Sequence, residues 1–74
     1  MPTKKIAIHT GYIKLDSFLK LAGAVGSGGE AKLAIEQGEV SVNGEICAMR
    51  GKKLRPGDTV LFRDTVCEVV SDGA

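Results

Sequence analysis

"IKLDSFLKLAGAVGSGGEAKLAIEQGEVSVNG", residues 13–44, changes its apolar period partway through, and that change decides the fold. Leu15, Phe18, Leu19 and Ala22 recur at i, i+3, i+4 and i+7, which places them on one face of a helix. Asp16 or a neighbour can cap the start of this helix, Gly23 suits its end, and Lys20 falls on the opposite, solvent-facing side. Ser27 followed by Glu30 is a capping-box spacing that opens a second helix. Ala31, Ala34, Ile35 and Gly38 continue one face of it; the small residues allow close approach to a neighbour, and Gly38 is a natural stop. Leu33 falls opposite that stripe. After Gly38 the period becomes two, with Val40 and Val42 on one side, and Asn43-Gly44 predicts a type I′ hairpin turn because both central residues need positive φ.

The pattern extends in both directions. Upstream, "KKIAI" (4–8) reads as a short strand within an N-terminal segment, 1–12, interrupted by Gly11. Downstream, "RPGD" (55–58) is a second turn, with Pro56 fixing φ and Gly57 supplying freedom. "TVLFR" and "VCEVV" read as two strands joined near Asp64-Thr65, and "SDGA" (71–74) as a frayed tail. The order predicts one α+β domain over 1–74, with two short helices packed on a small antiparallel sheet.

Charge is segregated. The chain is formally +1, yet four of its ten Lys and Arg residues (Arg50, Lys52, Lys53 and Arg55) lie in 50–55, so six face nine Asp and Glu elsewhere. A basic patch of this kind binds phosphate even when net charge predicts nothing, although a lysine-rich loop also serves solubility. With no Trp, one Tyr and two Phe, a platform of several stacked aromatics is disfavoured. Cys47 and Cys67 match no metal spacing, sit in strand-like apolar contexts and fit a reduced, cytoplasmic setting. The N-terminus has no long apolar run, so neither a signal peptide nor a membrane span is expected.

Catalytic constellations are lacking. His9 is the lone histidine, the carboxylates are dispersed beside turns and on helix exteriors, and "GSGGE" lacks the Lys-Ser/Thr of a phosphate loop. No enzyme activity, cofactor, metal or small-molecule substrate is expected. Anion binding is better provided for. Ser27, Gly28 and Gly29 open the second helix, where first-turn N–H groups and the helix dipole favour an anion. Lys32 lies a turn along, and Lys20 comes from the preceding helix. The plain alternative is a capped helix with exposed lysines, Lys32 pairing with Glu36 at i+4. If both helices pack on the sheet, the basic loop with Arg50, Lys52 and Lys53 is expected beside the Ser27 helix start. Separate donor and cationic elements facing one partner suit a polyphosphate. With no long basic helix to enter a DNA groove, shape-reading contact with folded RNA fits better.

The ordered set Lys14, Leu15, Asp16, Leu19, Gly23, Ser27, Ala31, Lys32, Ile35, Gly38, Val40, Val42, Asn43, Gly44, Gly57 and Asp58 resembles the S4-type RNA-binding domain, the αL motif, over a core of 13–62. "SGGEAK" and "RGKKLRPGD" look like its small stand-alone bacterial members, the YbcJ-like and YaaA-like proteins. The resemblance implies non-catalytic binding of structured RNA, ribosomal RNA or tRNA, through the two helices and the adjoining loop. By position, Ser27 and Lys32 fall on the binding helix. Many members carry Arg directly after the Ser; here it is Gly28, and Arg50, Lys52 and Lys53 are expected to compensate. Lys14, Lys4 and Lys5 fall at the edge of the expected patch, and Arg55 is a candidate to hold the Pro56–Asp58 turn. A monomer acting in ribosome assembly or translation is expected. Two other readings stay open. "VNGE…LRPGD" also resembles β-grasp sulfur carriers, although "SDGA" lacks their Gly-Gly end. The basic loop also suits an acidic protein partner.

Overall fold

The computed structural model describes residues 3–72, and its helices fall where the apolar spacing puts them. The strand β1 (Thr3–Ile8) and the two-residue β2 (Ile13–Lys14) lead into α1 (Leu15–Leu21), which buries Leu15, Phe18 and Leu19. Helix α2 (Gly28–Glu36) buries Ala31, Ala34 and Ile35, and the small residues let it pack directly on α1. Leu33, opposite that stripe, is exposed.

Both helices close in the same way. After α1, Gly23 takes φ +75°; its N–H bonds the Lys20 carbonyl, and the Ala24 N–H reaches back to Leu19. After α2, Gly38 takes φ +76° and donates to Ile35, while Glu39 donates to Ala34. These are paired 5→2 and 6→1 bonds of a Schellman ending, and positive φ makes glycine the cheapest residue at each.

The remaining strands are β3 (Val40–Val42), β4 (Glu45–Ile46), β5 (Lys53–Leu54), β6 (Thr59–Phe62) and β7 (Thr65–Ser71). Asn43 at φ 52° and Gly44 at φ 88° make the expected turn between β3 and β4. The main sheet runs β1-β7-β6-β3-β4. The α+β class holds, but the sheet is mixed and not wholly antiparallel: β1 runs parallel to β7, from Thr3 opposite Val66 to Ile8 opposite Ser71. A parallel partner requires a long crossover, here nearly the whole domain, and nothing local in "KKIAI" reports it. Lys4 and Lys5 are exposed on this outer strand, where lysines discourage further edge pairing. They therefore lie on the opposite edge of the main sheet from β4.

Ser71 belongs to β7, and the Asp72 N–H bonds the Ile8 carbonyl, so the ladder continues into the expected tail; Gly73 and Ala74 lie outside the described residues. The β6–β7 turn is Arg63-Asp64, one residue earlier than expected, with Arg63 at φ 56° and its guanidinium over the Phe62 ring. The core joins both helices to the inner face of the sheet through Val40, Val42, Val60, Phe62, Cys67 and Val69. Both cysteines are free thiols, and burial pushes the Cys67 thiol up from its ordinary value, partly offset by the Lys4 charge.

A polar brace links two turns. Asn43 Nδ2 donates to Asp58 Oδ1 at 3.1 Å, Asn43 Oδ1 accepts from the Thr59 N–H at 3.0 Å, and Asp58 Oδ2 accepts from the Arg55 N–H at 2.8 Å. That backbone bond, with help from Asn43 and the Lys52 and Arg55 charges, lowers the Asp58 carboxyl below its ordinary value against a smaller opposing effect of burial. Arg55 thus holds the Pro56–Asp58 turn through its backbone: its carbonyl accepts from the Asp58 N–H at 3.0 Å.

Candidate nucleic-acid interface

The basic run is clamped at both ends. Leu54, which follows Lys53, is fully buried. β5 pairs antiparallel with β2, placing Leu54 opposite Ile13 and Lys53 opposite Lys14. Ahead of these anchors, the Lys52 carbonyl accepts from the Leu15 N–H at 2.9 Å and the Arg50 carbonyl from the Asp16 N–H at 3.1 Å. Those two N–H groups open α1 and have no partner inside the helix. The expected side-chain cap at Asp16 is therefore replaced by loop carbonyls; Asp16 Oδ1 accepts only from the neighbouring Ser17 N–H, at 2.7 Å. Two-residue strands are too short to show a period, so neither β2, β5 nor this clamp is visible from the pattern of apolar residues.

The clamp fixes backbone and leaves side chains free. Arg50, Lys52, Lys53 and Lys14 are all exposed. Lys14 and Lys53, directly opposite on the ribbon, project from the same face, an arrangement of like charges that costs stability. Among the described residues the side-chain ion pairs are His9–Asp72 and Arg63–Glu39, so none of the loop cations, nor Lys14, Lys20 or Lys32, is neutralised in that way. The Lys53 ammonium lies 4.9 Å from the centre of the Tyr12 ring. His9, paired with Asp72 at 2.5 Å, stands apart from this group in the chain's interactions.

The start of α2 is arranged otherwise. Ser27 Oγ accepts from the Glu30 N–H at 3.2 Å, and Glu30 Oε1 reaches past Ser27 to accept from the Gly26 N–H at 2.6 Å. The capping box is thus present with its return bond displaced by one residue. It brings a carboxylate to the helix end, where the dipole favours one. A Cβ at Gly28 would meet nothing within 4 Å, so the missing Arg of the wider family is not excluded by crowding. Lys32 is exposed and does not form the alternative pair with Glu36. Lys20 stands exposed in the last turn of α1, where a cation also suits the dipole. Hydrogen bonds tie the basic loop to the start of α1; among the described residues none ties it to Ser27, Gly28 or Gly29. The hydrogen-bonded attachment of the loop is thus to the α1 start.

Two packed helices, an Asn-Gly hairpin and a braced Pro-Gly-Asp turn on one sheet, with a clamped basic loop, define the αL type of binding module. The chain belongs to the S4 domain family, whose model matches residues 6–70. It is 37% identical over 71 residues, 96% of this chain and the whole of the relative, to the Escherichia coli (strain K12) protein YbcJ, named provisionally as RNA-binding. It is 49% identical over 55 residues, 74% of this chain and 78% of the relative, to the Bacillus subtilis (strain 168) protein RlbA, named provisionally as a ribosome maturation protein. The paired helices and family membership set aside the β-grasp reading of "VNGE…LRPGD".

Proposed function

We propose that this protein binds structured RNA, ribosomal RNA or tRNA, without catalysing a reaction, and that it serves as an accessory factor in ribosome assembly or translation. The observation that carries this is the clamped loop. Its carbonyls are consumed at α1 while Arg50, Lys52 and Lys53, with Lys14 opposite, stay exposed and unpaired in a member of the S4 domain family. A fixed backbone presenting free cations suits a fixed pattern of phosphates, since little order remains to be imposed on binding. Lys20, Ser27, Gly28, Gly29 and Lys32 form the second part of the surface, on the helices. The names given to YbcJ and RlbA point in the same direction and favour ribosomal RNA. We place the protein in the cytoplasm as a monomer, one domain over 1–74. No described helix is long and apolar enough to cross a membrane.

The test is a titration against structured RNA, duplex DNA and an acidic protein at several salt concentrations. Contact with about four phosphates gives a log–log salt slope of roughly −3 to −4 for RNA. Equal affinity for all three partners, or a slope near zero, would refute the reading.

A further inference from the structure

Tyr12 is the chain's single tyrosine, and there is no tryptophan. Phe18 and Phe62 are buried at 0% and 5% exposure, whereas Tyr12 is 42% exposed. It immediately precedes β2, and its carbonyl accepts from the Thr10 hydroxyl at 2.5 Å, which fixes the backbone there. The Lys53 ammonium sits over its ring, and Lys53 stands opposite Lys14. The ring thus lies under one ammonium whose cross-strand partner is a second lysine, a pair of like charges that an anion would relieve.

A phosphate drawn to Lys14 and Lys53 takes the Lys53 ammonium off the ring and brings its own nucleoside to the aromatic face so uncovered. A base within a duplex has both faces occupied by its neighbours; an unpaired base has a face to offer. We infer that Tyr12 stacks on an unpaired nucleobase next to the phosphate held by Lys14 and Lys53, so that the preferred RNA carries a bulged or loop nucleotide at this point. The inference rests on the RNA-binding reading above and adds to it the kind of RNA selected. One ring serves one base, in keeping with a chain too poor in aromatics to build a platform.

The chain provides its own reporter, because tyrosine emission comes from this ring alone. The unaltered protein is titrated with a hairpin carrying one bulged nucleotide, with a fully paired duplex of equal length and with inorganic polyphosphate, binding being followed separately by anisotropy of a label on the RNA. The bulged hairpin should quench the emission as it binds, and polyphosphate should bind without quenching. Tyr12→Leu should bind the bulged hairpin roughly tenfold more weakly, the scale of one lost base stack, and the duplex with unchanged affinity. Tyr12→Phe should keep the preference for the bulge. Quenching absent at saturation, or Tyr12→Leu weakening both RNAs equally, would overturn the inference while leaving RNA binding intact. Failure of the unaltered protein to bind either RNA would remove the underlying reading, and the inference with it.

Discussion

The start of α2 and the start of α1 face the same obligation, a set of N–H groups without helical partners, and meet it by opposite means. At α2 the solution is local: Ser27 and Glu30 act within five residues of each other, and the second brings a negative charge. At α1 the solution is distant: Arg50 and Lys52 supply carbonyls from a loop far along the chain, and their side chains bring positive charge. The local cap stabilises a helix and leaves its end less attractive to phosphate. The distant clamp stabilises a helix and builds a cationic edge in the same step. The position after Ser27 is Gly28, and the molecule still presents exposed cations at the α1 start.

Unpinning the clamp should have the largest effect. Leu54→Ala empties a fully buried site and should cost about 2–5 kcal/mol of stability, measured by urea unfolding. Equal losses at Leu54 and at an exposed position such as Leu33 would show that the loop is not anchored there. Next comes the charge itself. Lys52→Ala with Lys53→Ala should weaken RNA binding by roughly 10- to 100-fold and make the salt slope shallower by about 1.5 to 2. Unchanged binding would transfer the interface from the loop to the helices.

Ser27→Ala should lower stability by about 1 kcal/mol, the usual worth of an N-cap, with little change in the salt slope. A slope change as large as that of the lysine pair would erase the distinction between the two helix starts. Changes that make the α2 start more like the loop should sharpen the comparison from the other side. Glu30→Gln keeps an acceptor for Gly26 and removes the charge, and Gly28→Arg enters open space. Each should tighten RNA binding by a few-fold, the scale of one surface charge at a helix end. No gain from either would mean that this end does not face phosphate.

The smallest effect concerns acid. The Asp58 carboxyl is lowered in the fold, so its ionised form is the one the fold favours. Its contribution is complete above the ordinary carboxylate value of about 3.9 and is lost as pH falls from there through the lowered folded value. Asp58→Asn should make the decline of stability below about pH 4 shallower, as followed by urea midpoints across pH. An identical acid limb would show that the brace between the two turns does not depend on charge.

Much of this architecture could be read in advance because its signals are local. The i, i+3, i+4 spacing of Leu15, Phe18 and Leu19, the two terminal glycines and Asn43-Gly44 each act through neighbours a few residues away. The site was legible only in its residue types. That Arg50, Lys52 and Lys53 would be exposed follows from their charge. That their carbonyls cap α1, or that Lys14 faces Lys53, depends on two two-residue strands with no periodicity of their own. The parallel β1–β7 pair was hidden for a related reason, since register between distant strands leaves no mark in either segment. Glu30 was legible as a cap, but its reach to Gly26 depends on the bend of the chain before Ser27.

The pairing of Thr3 with Val66 also governs when the molecule can be completed. Helix α2 and the Asn-Gly hairpin are closed by contacts between near neighbours and can form early. β1 must wait for β7, the strand furthest from it in sequence, so closing that edge of the sheet carries the largest loop-closure entropy in the domain. During synthesis β1 leaves the ribosome well before its ladder partner. In that interval two lysines, Lys4 and Lys5, disfavour pairing of the open strand with another chain.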